Sequence, residues 1–129
     1  MWDGVSISAG KHGADGVLSA EVHVPEHSSW FDGHFPDWPV LPGIAQLDMV
    51  FQLIRHVLDR PVRVAEVGRV RFKQMIVPND YLTVSAESRP GDDGRYSFRI
   101  TRGDEVVCTG VMTVAAVQYQ NPATAEGLS

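Results

Sequence analysis

Four residues within a short span of the chain carry the chemistry on offer: His34, Gly43, Asp48 and Gln52. They sit in Gly33-His34-Phe35-Pro36, then Pro39, then Pro42-Gly43, then the two polar residues. Pro36, Pro39 and Pro42 stiffen the backbone between His34 and whatever follows, and a catalytic group must be held to a fraction of an ångström. A helix opening at Pro42-Gly43 leaves backbone N–H groups without partners at its positive end. Gly43 has no side chain to keep an oxygen atom away from its N–H. That combination makes an oxyanion site. Asp48 falls about one and a half turns into the helix, and Gln52, four residues on, lies on the same face and is able to orient it. Taken singly, each residue has a plainer reading: a loop histidine satisfied by a carbonyl, the start of a solvent stripe, a helix-start signal. Together, a His and an Asp flanking a rigid turn on a greasy helix are harder to dismiss.

The elements that must position them follow from periodicity. Val17 to Val24 alternates, with Leu18, Ala20, Val22 and Val24 on one face and Ser19, Glu21 and His23 on the other, which reads as a half-buried strand. From Pro42 to Asp59, Ile44, Leu47, Phe51, Ile54 and Leu58 follow a 3-4-3-4 spacing, and Pro42 suits a first helical turn. Met49, Val50, Leu53 and Val57 make the helix apolar over most of its circumference, as buried helices are. Its polar stripe is narrow: Asp48, Gln52, Arg55 or His56, Asp59. A long strand is expected from Val62 to Lys73, disturbed near Gly68, and three more run through Leu82–Glu87, Tyr96–Ile100 and Val107–Thr113. Their short turns imply an antiparallel meander. One helix and one sheet can hide their apolar faces only against each other, so the fold class is α+β, an antiparallel sheet wrapped around one central helix. Residues 1–117 read as a single domain and 118–129 as a polar tail.

GHFPDWPVLPGIAQLDMVFQ resembles, without a gap, the signature of the hot-dog-fold 3-hydroxyacyl-[acyl-carrier-protein] dehydratases of the FabA/FabZ type. A second, weaker match runs from Arg71-Phe72-Lys73 to Val77-Pro78-Asn79-Asp80. LPGIAQLD is most similar to the ApeI-like branch associated with aryl-polyene biosynthesis. The resemblance implies that His34 and Asp48 are the catalytic pair, that Gly43 N–H binds the thioester oxygen and that Gln52 supports Asp48. It also implies a dimer whose sites combine His and carboxylate from different protomers, as a homodimer or with a related hot-dog subunit. Two departures stand out. The carboxylate is Asp, as in the FabA type, beside GHFP wording of the FabZ type, and Asn79 stands where Gly is usual. The function implied is dehydration of 3-hydroxyacyl thioesters to trans-2-enoyl thioesters, in fatty-acid or aryl-polyene synthesis. A hot-dog acyl thioesterase would share the helix-end site, but the GHFP histidine speaks against it. A non-catalytic acyl-binding partner subunit is opposed by the presence of both His34 and Asp48.

The remaining sequence bounds these readings. The chain has 129 residues, one cysteine (Cys108) and a formal net charge of −5, which argues against nucleic acid as a partner. Cys108 reads as a small buried residue on a strand. No apolar run approaches a membrane span and the N-terminus lacks a signal-peptide pattern, so a cytoplasmic location is expected. His23, His27 and His34 fit no strong zinc pattern, and no nucleotide-binding motif is present, so neither metal nor cofactor is expected. Trp30, Phe31, Phe35 and Trp38 suit an acyl tunnel or an aromatic core equally well. The charge is unevenly placed: one base against seven acids over residues 1–54, then six bases against two acids between Arg55 and Lys73. Arg69, Arg71 and Lys73 alternate with Val70 and Phe72 and so should share an outward face. That face is either solvated or, given the resemblance, a dock for an acidic acyl carrier protein bearing a 3-hydroxyacyl-phosphopantetheine.

Overall fold

A computed structural model describes residues 5–9, 17–25, 41–89 and 91–117. Six strands and one helix follow in the order β1 (Val5–Ala9), β2 (Val17–His23), α1 (Gly43–Leu58), β3 (Val62–Phe72), β4 (Tyr81–Arg89), β5 (Asp92–Arg102) and β6 (Glu105–Ala116). The strands form one sheet in the order β1-β2-β4-β5-β6-β3, antiparallel at every pairing. This is the expected α+β wrap with one strand more than expected. β1 is five residues long and its sequence, VSISA, alternates apolar and polar residues, a short strand signal that the expected set of strands omits; the edge of β2 supplies its partners, Val22 opposite Val5 and Glu21 opposite Ser6.

Alternation places Leu18, Ala20, Val22, Leu82, Val84, Ala86, Phe98, Ile100 and Cys108 in the buried core. Register carries the inward face across the sheet: Ala86 opposes Phe98, and Phe98 opposes Gly110. α1 lies on that face through Ala45, Met49, Val50, Leu53 and Ile54. Of the 3-4-3-4 set, only Ile54 belongs to the fully buried face. Leu47, Phe51 and Leu58 are half-buried, and Ile44 is 66% exposed. The helix thus has two apolar faces, and the domain uses one. It ends at Asp59, whose left-handed backbone (φ 50°) turns its N–H onto the Arg55 carbonyl. Among the described residues no helix is long and apolar enough to cross a membrane.

β3 is the outer strand beyond β6 and is not regular. Its pairing shifts by one residue between Val64 and Glu66 and again between Gly68 and Arg71. Each shift inserts an unopposed residue, a β-bulge. The second contains Arg69 at φ 55°, a left-handed conformation costing a non-glycine residue roughly 1–3 kcal/mol. This revises the expected simple alternation of Arg69, Arg71 and Lys73. Arg71, opposite Thr109, shares the outward face with Gly68, opposite Val111, while Arg69 is extra to the register. All three basic residues are exposed.

The loop after β3 is pinned on several sides. Ile76 is fully buried, its carbonyl accepts the Leu41 N–H (2.8 Å), and Asn79 N–H donates to the Val24 carbonyl (2.9 Å). Asn79 stands at φ 70°, a left-handed position that Asn tolerates in place of the usual Gly. Arg102 clamps the loop to the β5–β6 hairpin, donating to the Met75 carbonyl (2.9 Å), to Asp80 (2.7 Å) and to Glu105 (2.6 Å). Those two carboxylates hold its guanidinium pKa above the ordinary value, Glu105 foremost.

Candidate active site

Leu41 is buried and tied to Ile76, and the extended backbone of Pro42 (φ −63°, ψ 154°) turns the chain into α1. The N–H groups of Ala45 and Gln46 both reach back to the Pro42 carbonyl (3.1 and 3.3 Å). Among the described residues, the N–H groups of Gly43 and Ile44 find no acceptor, no side chain caps the helix, and its first turn holds no acid. The positive end of α1 is therefore not neutralised by these residues, as an oxyanion site requires.

Asp48 and Gln52 meet as their spacing anticipates: Gln52 Nε2 donates to Asp48 Oδ1 at 3.4 Å, and both are half-buried. Arg55 extends the line, donating from Nη2 to Gln52 Oε1 at 2.9 Å. With its carbonyl oxygen occupied by Arg55, Gln52 presents its N–H₂ to Asp48. The i+3 spacing of Arg55 to Gln52 was available in the sequence, but there Arg55 shared its place in the polar stripe with His56. Asp48 and Gln52 edge a groove of about 450 Å³ between α1 and β3. Its walls are the unused apolar face of the helix, Ile44, Leu47 and Phe51, against Val64, Val67 and Met112. A carboxylate held at the mouth of an apolar cleft fits chemistry on an acyl chain.

Two further residues at the helix start fall within the matched motifs, but nothing in the sequence signalled their contacts. Gln46 is only 4% exposed, donates from Nε2 to the Leu41 carbonyl (3.3 Å) and, among the described residues, leaves Oε1 without a partner. Phe72 brings its ring against Gly43, so close that a Cβ there would lie 2.7 Å from Cζ. His34 lies outside the described residues, as do Trp30, Phe31, Phe35 and Trp38. Cys108 is buried on β6, and its desolvation pushes the thiol pKa up to about 11.

An antiparallel sheet around one helix is the α+β hot-dog fold, here with Asp48 five residues after the helix's glycine start. The model of the ApeI-like family, described as ApeI dehydratase, matches residues 11–111. The chain belongs to that family. It is 33% identical over 115 residues to the 3-hydroxyacyl-[acyl-carrier-protein] dehydratase FabZ of Chlamydia caviae, covering 81% of this chain and 75% of the other. To FabZ of Natranaerobius thermophilus it is 28% identical over 116 residues, with 83% and 79% covered. Among solved structures, the dehydratase heterocomplex ApeI:P from Xenorhabdus doucetiae superposes with a TM-score of 0.71 at 23% identity, covering 81% of this chain and 92% of that one. An uncharacterized protein from Erwinia carotovora subsp. atroseptica gives 0.67 at 25% identity, covering 89% and 92%.

Proposed function

We propose that this chain dehydrates 3-hydroxyacyl thioesters borne on an acyl carrier protein to trans-2-enoyl thioesters, in fatty-acid or aryl-polyene synthesis. The observation that carries the reading is the match of residues 11–111 to the ApeI dehydratase family, supported by Asp48, held by Gln52 on the edge of an apolar groove, behind a helix start that is bare among the described residues. Neutral His34 takes the C2 proton, and the charge that develops on the thioester oxygen is stabilised by Gly43 N–H. The C3–O bond then breaks as Asp48 gives its proton to the departing hydroxyl, which leaves as water. His34 ends protonated and Asp48 ionised, and exchange with solvent resets both. Base catalysis contributes ~10²–10⁴-fold and an oxyanion donor ~10²–10³-fold. The catalytic unit is the domain of residues 1–117, with 118–129 a polar tail.

The active species is a dimer of hot-dog subunits, homodimeric or with a related partner. β3 is an edge strand, and Ile44 and Val64 stand exposed beside the groove; such an edge invites a second chain. Arg69, Arg71 and Lys73, exposed toward the end of β3 whose Phe72 meets Gly43, dock the acidic carrier.

The test incubates the purified protein with 3-hydroxyacyl and saturated acyl thioesters. Enoyl product is expected; free thiol would make it a thioesterase, and neither product a partner subunit. His34→Ala and Asp48→Asn should each lose activity by at least ~10²-fold. Undiminished turnover of His34→Ala sinks the assignment of the base. Mixing His34→Ala with Asp48→Ala should restore some activity if sites are shared between chains; none under exchange conditions would place each site within one chain.

A further inference from the structure

Three local features converge on one spot beside Gly43. The ring of Phe72 abuts the helix start, with Cζ, Cε2 and Cε1 at 2.7, 3.1 and 3.2 Å from where a Gly43 Cβ would stand. The contact exists because that Cβ is missing. Phe72 faces the helix because of the extra residue in the bulge around Arg69. Gly68 opposes Val111 on the outward face; with unbroken pairing Arg71 would have turned inward and Phe72 outward. The bulge reverses this and sets Phe72 opposite Cys108, on the core side. Despite facing inward, Phe72 is 52% exposed. The core does not enclose it, so packing within this domain does not explain why a strained backbone aims an aromatic ring there.

We propose that Phe72 is the water-excluding wall of the oxyanion site, its ring screening the Gly43 N–H so that the thioester oxygen, and not water, accepts from it. A hydrogen bond from a fixed donor to a developing negative charge strengthens as water is removed. The half-exposed ring completes the wall only when the acyl thioester lies against it. The inference rests on the dehydratase reading and adds to it a positioning residue: Phe72 acts through Gly43 and exchanges no proton.

The experiment measures kcat and KM for a 3-hydroxyacyl thioester with wild type, Phe72→Ala, Phe72→Leu and Phe72→Tyr. In parallel, isotope-edited infrared spectra record the carbonyl stretch of a bound ¹³C-labelled trans-2-enoyl thioester. In wild type the band should lie below its position in buffer, the mark of a polarised carbonyl. Phe72→Ala should lower kcat by about tenfold, part of the ~10²–10³-fold that loss of the whole donor costs, with KM within about twofold. Its carbonyl band should move back toward the buffer value, Phe72→Leu should fall between, and Phe72→Tyr, which keeps the ring, should match wild type. If Phe72→Ala fails to fold, Phe72→Leu carries the comparison, since the band reports only on folded protein with ligand bound. An unchanged kcat and band in the ring-less variants overturns the proposal, as does a rise in KM alone, which would make the ring a binding contact. Wild type that forms no enoyl product refutes the dehydratase reading itself, so the two failures are distinguishable.

Discussion

Gly43 and Gly110 offer a matched pair, because each lies under the tip of a phenylalanine ring and the two rings differ in freedom. A Cβ on Gly110 would lie 2.5 Å from Cζ and 2.8 Å from Cε2 of Phe98, and 3.2 Å from Val70 Cγ2. Phe98 is 3% exposed and locked in the core, so it cannot swing aside without moving its neighbours. Overpacking of this kind costs ~1–3 kcal/mol, offset by the ~0.5–1 kcal/mol that a strand gains on exchanging Gly for Ala. Gly110→Ala should therefore lose about 1–2 kcal/mol. At ~2.1 cal/mol/K of unfolding entropy per residue, a chain of this size shifts by about 4 °C per kcal/mol, so Tm should fall by about 4–8 °C. Gly43→Ala meets Phe72 at a similar distance, but that ring is half in water and can rotate away. Its Tm should stay within about 2 °C, while its dehydratase activity falls by ~10²-fold or more as the methyl crowds the thioester oxygen. Thermal melts followed by circular dichroism, with turnover assays on the same preparations, read both quantities. Adding Phe98→Leu to Gly110→Ala should recover part of the loss, because the branched side chain no longer reaches the added methyl. Equal Tm changes for the two glycine variants, or a double variant whose losses simply add, would refute this account of the packing.

Other consequences are open to direct measurement. Gln52→Leu removes the hydrogen bond to Asp48 Oδ1 and strands Arg55; kcat should fall on the order of tenfold, because a misplaced catalytic group loses rate quickly, and an unchanged kcat would show that Asp48 needs no such support. Cys108, with its thiol pKa raised to about 11 by burial, should resist a thiol reagent at pH 8 in native protein and react fully once unfolded. The folded state holds that proton more tightly than the unfolded chain, whose thiol titrates near 9. Its contribution to stability is therefore complete below pH ~9 and is lost as pH rises toward 11; Cys108→Ala, scanned over this window in urea, should show a flatter decline. Arg102→Met severs the loop clamp to Met75, Asp80 and Glu105. For a partly exposed pair this should cost ~1 kcal/mol, and less in high salt.

The parts of the fold set by local pattern were legible in the chain. The helix expected from Pro42 to Asp59 runs Gly43–Leu58, because Pro and the apolar spacing mark its ends. The approach of Gln52 to Asp48 follows from i+4 geometry alone. Other features depend on partners that alternation does not reveal. The face of α1 bearing Ile44, Leu47 and Phe51 reads as core because composition does not say which apolar face a single sheet will cover, whereas β1, whose VSISA alternates strictly, was legible in the chain and is missing from the expected strands. Phe72 was visible as a residue of the second motif, but its contact with Gly43 arises from a bulge, which no count of alternating residues within β3 exposes.

The two bulges of β3 also have a joint arithmetic. Each inserts one residue and swaps which side chains face the helix; the second undoes the swap made by the first. Val62 and Phe72, both even-numbered, face inward at the two ends, while between the bulges the odd-numbered Val67 does so, opposite Met112. The strand carries a phase error and its correction within one element. Losing either extra residue inverts one end of β3 against the other, whereas losing both leaves the ends in register. In the history of such chains, length changes in this strand should be accepted in pairs and rejected singly.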